Sequence, residues 1–303
     1  MARIKRLNIT GEDAYYHIVT RTIGQKFLLK KEEKEKLLQI IKEYSALFFV
    51  KVTGFVLMSN HMHLIVKMET GENCRDEEID HRLDIFYEGK TGNKTLKSSG
   101  FAAARKKLAD ISEYVKRIKQ SFSFWYNQRH QVRGFFWDDR SKNVLLENGE
   151  SMLYCLAYIE LNPVRAGIME RPEDYSWSSL NYRVRQGNKD RFLSFAGIFS
   201  KEEPEVLSRY LDFVHRAGGI ETPSGGKVAD RIGSGIDGRG YAMPEKAIFC
   251  KRMRYFSDGL AIGSKSFIAS VYERFAGHAF FKKERKAHAA GFSDNIFSVR
   301  HLS

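Results

Sequence analysis

The tripeptide His61-Met62-His63 opens the apolar run HMHLIVKM and places two imidazoles one residue apart. On a strand, successive side chains alternate faces, so His61 and His63 point one way while Met62, Leu64 and Val66 point into a core. Two imidazoles on one face can hold a metal ion, although surface or hydrogen-bonded histidines produce the same pattern more often. A second constellation lies in SMLYCLAYIELNPVRAG, residues 151 to 167. In a helix Tyr154, Tyr158 and Asn162 are spaced i, i+4, i+8 and share a face, which brings a phenol and an amide oxygen to one site. The competing reading is an amphipathic helix that simply stops at Asn162-Pro163. The other seven histidines, His17 among them, have no paired context and read as surface or packing residues.

Positioning these groups requires strands for the histidines and a helix for the tyrosines. Residues 14 to 22, 49 to 58 and 61 to 68 are β-branched and aromatic runs, the last two separated by the turn-forming Ser59-Asn60. Between the first two, Leu37, Ile40, Ile41, Tyr44 and Leu47 follow a helical period. Residues 69 to 100 are polar and Gly-rich and read as a long loop or insertion. A helix over about 103 to 129, a strand at 142 to 147 and a helix from Ser151 to about Asn162 complete a βαββαβα order. That order predicts an α+β fold, a ferredoxin-like antiparallel sheet with covering helices, over residues 1 to 185. Residues 186 to 240 read as a helix at 202 to 217 followed by a flexible linker with eight glycines between 218 and 240. Residues 241 to 303 form a basic, mainly helical region. Helices over 244–256 and 264–275, joined by Ser257-Asp258-Gly259, make it a candidate helix-turn-helix.

With 303 residues, 43% hydrophobic and only five prolines, the chain has the composition of a folded soluble protein. No stretch has the length of a membrane span, and the basic N-terminus lacks the apolar core of a signal peptide, so a cytoplasmic location is expected. Three scattered cysteines without CxxC spacing disfavour a disulfide framework or a zinc ribbon. The net charge of +13 is concentrated. Residues 97 to 142 hold eleven Lys and Arg against four Asp and Glu, and residues 239 to 303 hold twelve against five. Two such patches fit a polyanion, because phosphate neutralisation releases counterions.

The stretch GFVLMSNHMHLIV, then RGFFWDDRSKNVLLE, then LAYIELNPVRAG followed by DYSWSSL, resembles the REP-associated tyrosine transposases. These are a branch of the single-tyrosine HUH transposases, the insertion-sequence two-hundred-like nucleases of bacteria and archaea. The resemblance covers about residues 1 to 185 and implies a catalytic domain there. His61 and His63 match the HUH pair, Tyr158 the nucleophile, and Asn162 the third metal ligand, where simpler members of the family carry Gln. It implies a Mg²⁺- or Mn²⁺-dependent endonuclease and strand transferase that cuts single-stranded or hairpin DNA near palindromic ends through a 5′-phosphotyrosine, acting as a monomer or homodimer. Lys116, Lys119, Arg133 and Arg140, interleaved with aromatics between 105 and 142, are the expected phosphate contacts. Two other readings remain: a catalytically silent DNA-binding regulator derived from a transposase, and a metal enzyme acting on a small molecule, which would leave both basic patches unexplained.

Overall fold

The computed structural model describes residues 7–88, 96–138, 140–195, 198, 204–220, 248–249, 253–277, 281 and 286–299. Its first half is built on β1 (Ala14–Arg21), α1 (Lys31–Leu47), β2 (Val50–Leu57) and β3 (His61–Met68). There follow α2 (Asp76–Tyr87), α3 (Phe101–Leu108), α4 (Ile111–His130) and β4 (Lys142–Leu146). The strands lie in the order β2-β3-β1-β4, every neighbouring pair antiparallel. With α1 connecting β1 to β2 and further helices connecting β3 to β4, this is the anticipated α+β, ferredoxin-like arrangement.

Alternation along the strands divides the protein into two cores. Tyr16 and Ile18 of β1, Met62, Leu64 and Val66 of β3 and Leu145 of β4 pack with α1 and α4. Val56, Ile65, Val144 and Leu146 face the other way, toward α5 (Glu150–Glu160), the short α6 (Asn162–Arg165), α7 (Ser179–Val184) and α8 (Pro204–Gly218). Every residue of α5 from Ser151 to Glu160 is buried. An amphipathic surface helix does not behave this way; α5 is a core helix enclosed on all sides. Its one buried carboxylate, Glu160, has Ser179 Oγ donating to it at 2.5 Å, Tyr210 donating to its other oxygen and Arg183 at 3.6 Å. Burial pushes the Glu160 carboxyl up, against the pull of Arg183 and the two hydroxyls.

Several elements depart from the sequence expectation. Part of the expected 69–100 loop is α2, in which Ile79 and Leu83 are buried, Phe86 and Tyr87 half-buried and Ile85 exposed. Ile79, Leu83 and Phe86 do follow a helical spacing, a short signal set among charged residues. The helix expected over 103–129 is broken at Ala109-Asp110, where Asp110 caps α4 by accepting from Ser112 and Glu113 main-chain N–H groups at 2.6 and 2.9 Å.

The C-terminal region extends the same sheet. After α9 (Arg254–Asp258), β5 (Ala261–Gly263) pairs parallel with β4; α10 (Lys265–Arg274), β6 (His288–Ala289) and β7 (Phe297–Ser298) follow, giving seven strands in the order β2-β3-β1-β4-β5-β7-β6. Of the helix expected over 244–256, residues 244–247 and 250–252 lie outside the described residues; among the described ones, β5 lies between α9 and α10. Leu260 and Ile262 carbonyls accept from Leu145 and Glu147 N–H groups at 2.9 and 3.0 Å, and this pairing overrides the turn. The glycine-rich 221–247 segment lies outside the described residues.

One close approach sets the seat of α5. Thr53 is an extra residue in β2 relative to β3, since Val52 pairs with Val66 and Gly54 with Ile65. Arg183 donates to the Thr53 carbonyl that this bulge exposes. A Cβ at Gly54 would overlap Cδ1 of Leu156 on α5. Gly54→Val is therefore expected to push α5 off the sheet and lower stability by about 1–3 kcal/mol, read from the midpoint of urea unfolding.

Candidate active site

His61 and His63 lie on the face of β3 that looks toward α5, and the strand register puts them beside Arg21 and Val19 of β1. Their ring centroids are 5.1 Å apart and nearly perpendicular. The Nδ1 atom of His61 is 2.6 Å from Asn60 Oδ1. The Nδ1 atom of His63 is 2.8 Å from His17 Nε2, and Nδ1 of His17 is 2.8 Å from the carbonyl of Phe256 at the start of the C-terminal region. Burial lowers the His17 pKa to about 4, against the opposing effect of its bond to Phe256. His63 is held well below the ordinary histidine value, first by burial and then by His17, His61, Arg165 and Arg21. His63 is thus neutral at pH 7 and keeps a ring lone pair for a ligand.

The tyrosine comes from the opposite wall. Leu161, with φ −81° and ψ −1°, joins α5 to α6 without leaving near-helical geometry, and Pro163 at the start of α6 lacks only an N–H that needs no intrahelical partner there. The i, i+4 register of Tyr158 and Asn162 therefore survives the junction. Both residues line one cleft of about 320 Å³ together with His61, His63, Arg21, Gln25, Asn60, Arg165 and Ser257. The ring of Tyr158 is 6.3 Å from that of His63. Asn162 donates Nδ2 to the Ile159 carbonyl at 3.0 Å, which leaves Oδ1, the atom a hard cation takes, as the other end of its amide. Arg165 lays its guanidinium 4.2 Å over the Tyr158 ring and donates to the Tyr158 carbonyl at 2.8 Å. Phe256 stacks on the phenol ring at 4.9 Å and Phe249 meets it edge-on at 5.7 Å.

Tyr154, one turn earlier, is not in the cleft. It sits against Phe213, Phe249 and Phe292, where burial raises its phenol pKa to about 12. The structure thus brings together four of the sequence-predicted residues and excludes the alternative tyrosine from their neighbourhood.

Among the described residues no three His, Cys, Asp or Glu side chains cluster in metal-holding geometry, so any ion in the cleft depends on two imidazoles and the Asn162 amide. The lining holds two arginines and no carboxylate. Such a set fits a divalent cation whose remaining positions are filled by water and by an anionic ligand.

The four expected phosphate contacts divide. Lys116 and Lys119 ride on α4, which belongs to the core on the far side of the sheet. There Lys116 pairs with Glu113 at 3.0 Å and Lys119 lies 6.0 Å over the Trp137 ring. Arg133 and Arg140 are exposed on the segment after α4, which is tied to the end of β1 by Ile23 N–H to Phe136 carbonyl and Asp138 N–H to Arg21 carbonyl bonds, each 2.9 Å. Arg21 lines the cleft, and none of the four expected phosphate contacts is itself in that lining.

Residues 10–75 match the family model described as transposase IS200 like. The resemblance read from the motifs thus holds for the segment that carries His61 and His63. No curated protein sequence matches the chain. A solved structure described as a REP-associated tyrosine transposase bound to a REP hairpin is similar at 16% identity and a TM-score of 0.42, covering 62% of this chain and 87% of that one. No described helix is long and apolar enough to cross a membrane.

Sequence reasoning passed over His17, Asn60, Arg165 and Phe256. His17 had a signal: it alternates with Tyr16 and Ile18 on β1, which places it on the histidine face once β1 pairs with β3. Phe256 had none, because its contact spans nearly a hundred residues of chain. Phe256→Ala is expected to cost about 3–5 kcal/mol in chemical denaturation, since it empties the space against the Tyr158 ring.

Proposed function

We propose that the chain is a metal-dependent, single-strand DNA endonuclease and strand transferase that acts near hairpin or palindromic ends. The observation that carries this reading is the convergence of Tyr158, Asn162, His61 and His63 on one carboxylate-free cleft beside Arg21 and Arg165. A nucleophilic phenol, an imidazole pair and two fixed cations without a competing anion suit a phosphodiester.

His61, His63 and the Asn162 oxygen would hold Mg²⁺ or Mn²⁺, which supplies Lewis-acid charge to the scissile phosphate. Tyr158 loses its phenolic proton to water and its oxygen attacks phosphorus, forming the Tyr158–O–P bond. The bond from phosphorus to the 3′-oxygen breaks, and that oxygen takes up a proton to leave as a 3′-hydroxyl. A phenol with an ordinary pKa near 10 is a weak nucleophile at neutral pH. Arg165, which lies over its ring, would with Arg21 receive the charge that builds on the phosphoryl oxygens. Attack by another 3′-hydroxyl on the phosphotyrosine reverses the step. One phosphoester bond forms for each one broken, so no nucleotide hydrolysis is needed. Arg133 and Arg140, on the segment tied to the end of β1, together with Lys116 and Lys119 on α4, would meet the flanking backbone.

A labelled single-stranded hairpin oligonucleotide incubated with the protein and Mg²⁺ is expected to give a covalent adduct that survives denaturing electrophoresis. Tyr158→Phe should abolish the adduct, and His61→Ala should slow its formation by about 100-fold or more while hairpin binding persists. Binding without any adduct from the wild-type chain would instead identify a silent DNA-binding regulator.

A further inference from the structure

His17 is a buried imidazole that the proposed reaction does not use. It sits on β1, fully enclosed, between the Phe256 carbonyl and His63, with both of its ring nitrogens at 2.8 Å from a partner. Its ring is 5.0 Å from that of His63 and inclined by only 17°. The hydrogen-bond chemistry permits one arrangement. A carbonyl oxygen only accepts, so His17 donates from Nδ1; the neutral ring then offers a bare Nε2, and His63 must donate its Nδ1 proton to it. The lone pair of His63 is consequently on Nε2. His17 has no nitrogen left to reach an ion itself. His61 arrives at the same tautomer by another route, because the side-chain oxygen of Asn60 accepts from its Nδ1.

We propose that His17 is a positioning residue for the cation site: it relays the Phe256 carbonyl to His63 and so fixes the tautomer and ring plane that present Nε2 of His63 to a divalent cation. The inference rests on the metal reading given under the proposed function. Without an acceptor at position 17, His63 can carry its proton on either nitrogen and can turn about its ring axis, and the ordering cost then falls on cation binding. The relay also assigns a task to the C-terminal region. The Phe256 carbonyl belongs to the residue whose ring stacks on Tyr158, so one residue of that region buttresses both the imidazole and the phenol.

Two measurements on the full chain test this. Histidine ¹⁵N–¹H NMR of the metal-free wild-type protein at neutral pH is expected to show His63 protonated on Nδ1 and bare on Nε2. Calorimetric titration with Mn²⁺ is expected to show binding about 10–100-fold weaker for His17→Phe than for wild type, with much of the loss recovered in His17→Gln. Glutamine offers an oxygen to His63 and an N–H to Phe256, whereas phenylalanine fills the space and offers neither. A wild-type His63 protonated on Nε2, a His17→Phe variant that binds Mn²⁺ as tightly as wild type, or a folded His17→Gln no better than His17→Phe would each overturn the role of His17 alone. Failure of the wild-type chain to bind Mn²⁺ would overturn the metal reading, and this role with it. Should His17→Phe not fold, the wild-type tautomer still decides.

Discussion

Because side chains alternate along β3, the cleft and the main core cannot be shifted independently. His61, His63 and Ile65 occupy one face, and Met62, Leu64 and Val66 the other. A slip of one residue would bury two imidazoles beneath α1 and α4 and turn three large apolar side chains toward Tyr158. The register is held on both flanks, by eight residue pairs with β1 and seven with β2. The burial of Met62, Leu64 and Val66 is therefore also what orients the histidines. Each such side chain is worth about 1.5–3 kcal/mol on burial, which exceeds what two hydrogen-bonded imidazoles contribute.

The wall that carries Tyr158 is fixed in a different way. Helix α5 lies between the sheet and α8, buried along its length, so it has neither a solvent side to fray nor room to rotate. Gly54 brings β2 under it, and Glu160 ties its last turn to Ser179, Tyr210 and Arg183. The expense of burying a carboxylate is offset by the two hydroxyls that donate to it and by the Arg183 guanidinium nearby. Tyr158 and Asn162 are then delivered by helical geometry across the Leu161 junction. A phenol confined between Phe256, Phe249 and Arg165 has already lost the rotational freedom that a bimolecular attack would otherwise have to remove.

Much of this was legible in the residues themselves. The period-two pattern at 61–68 and the three-to-four-residue pattern at 37–47 are local, and local patterns placed β3 and α1. The spacing of Tyr158 and Asn162 placed both on one face because the chain continues helically past Leu161. What stayed hidden depends on distant partners. α2 is short and charged, with Ile79 and Leu83 buried and Phe86 and Tyr87 half-buried against α1 and the core. β5 is three residues long and exists because β4 offers a free edge. His17 looked like any histidine in an apolar strand until β1 was set beside β3, and Phe256 joined the site from the far side of a glycine-rich stretch that hides distance rather than revealing it. The basic patches show the same limit. Charge counted along the chain put Lys116, Lys119, Arg133 and Arg140 together, and the structure sets the first two on α4 and the last two on the segment after it, where Trp137 packs back against Lys119.

The electrostatics of the cleft follow from its having arginines and no carboxylates. Arg21 and Arg165 make a second positive charge on His63 unfavourable, in the same direction as burial, so the imidazole stays neutral and keeps its lone pair. On the proposed reading, the same two guanidiniums would attract a phosphodiester. Conflict would arise on binding a divalent ion alone, since two fixed cations oppose it. A phosphate that enters with the ion removes the conflict, because its negative charge is shared between metal and arginines. On the proposed reading, the cation and a phosphodiester would therefore reinforce one another's binding in this cleft. That coupling has a structural origin: a carboxylate ligand would have neutralised the ion in advance and left less of its charge for the scissile phosphate.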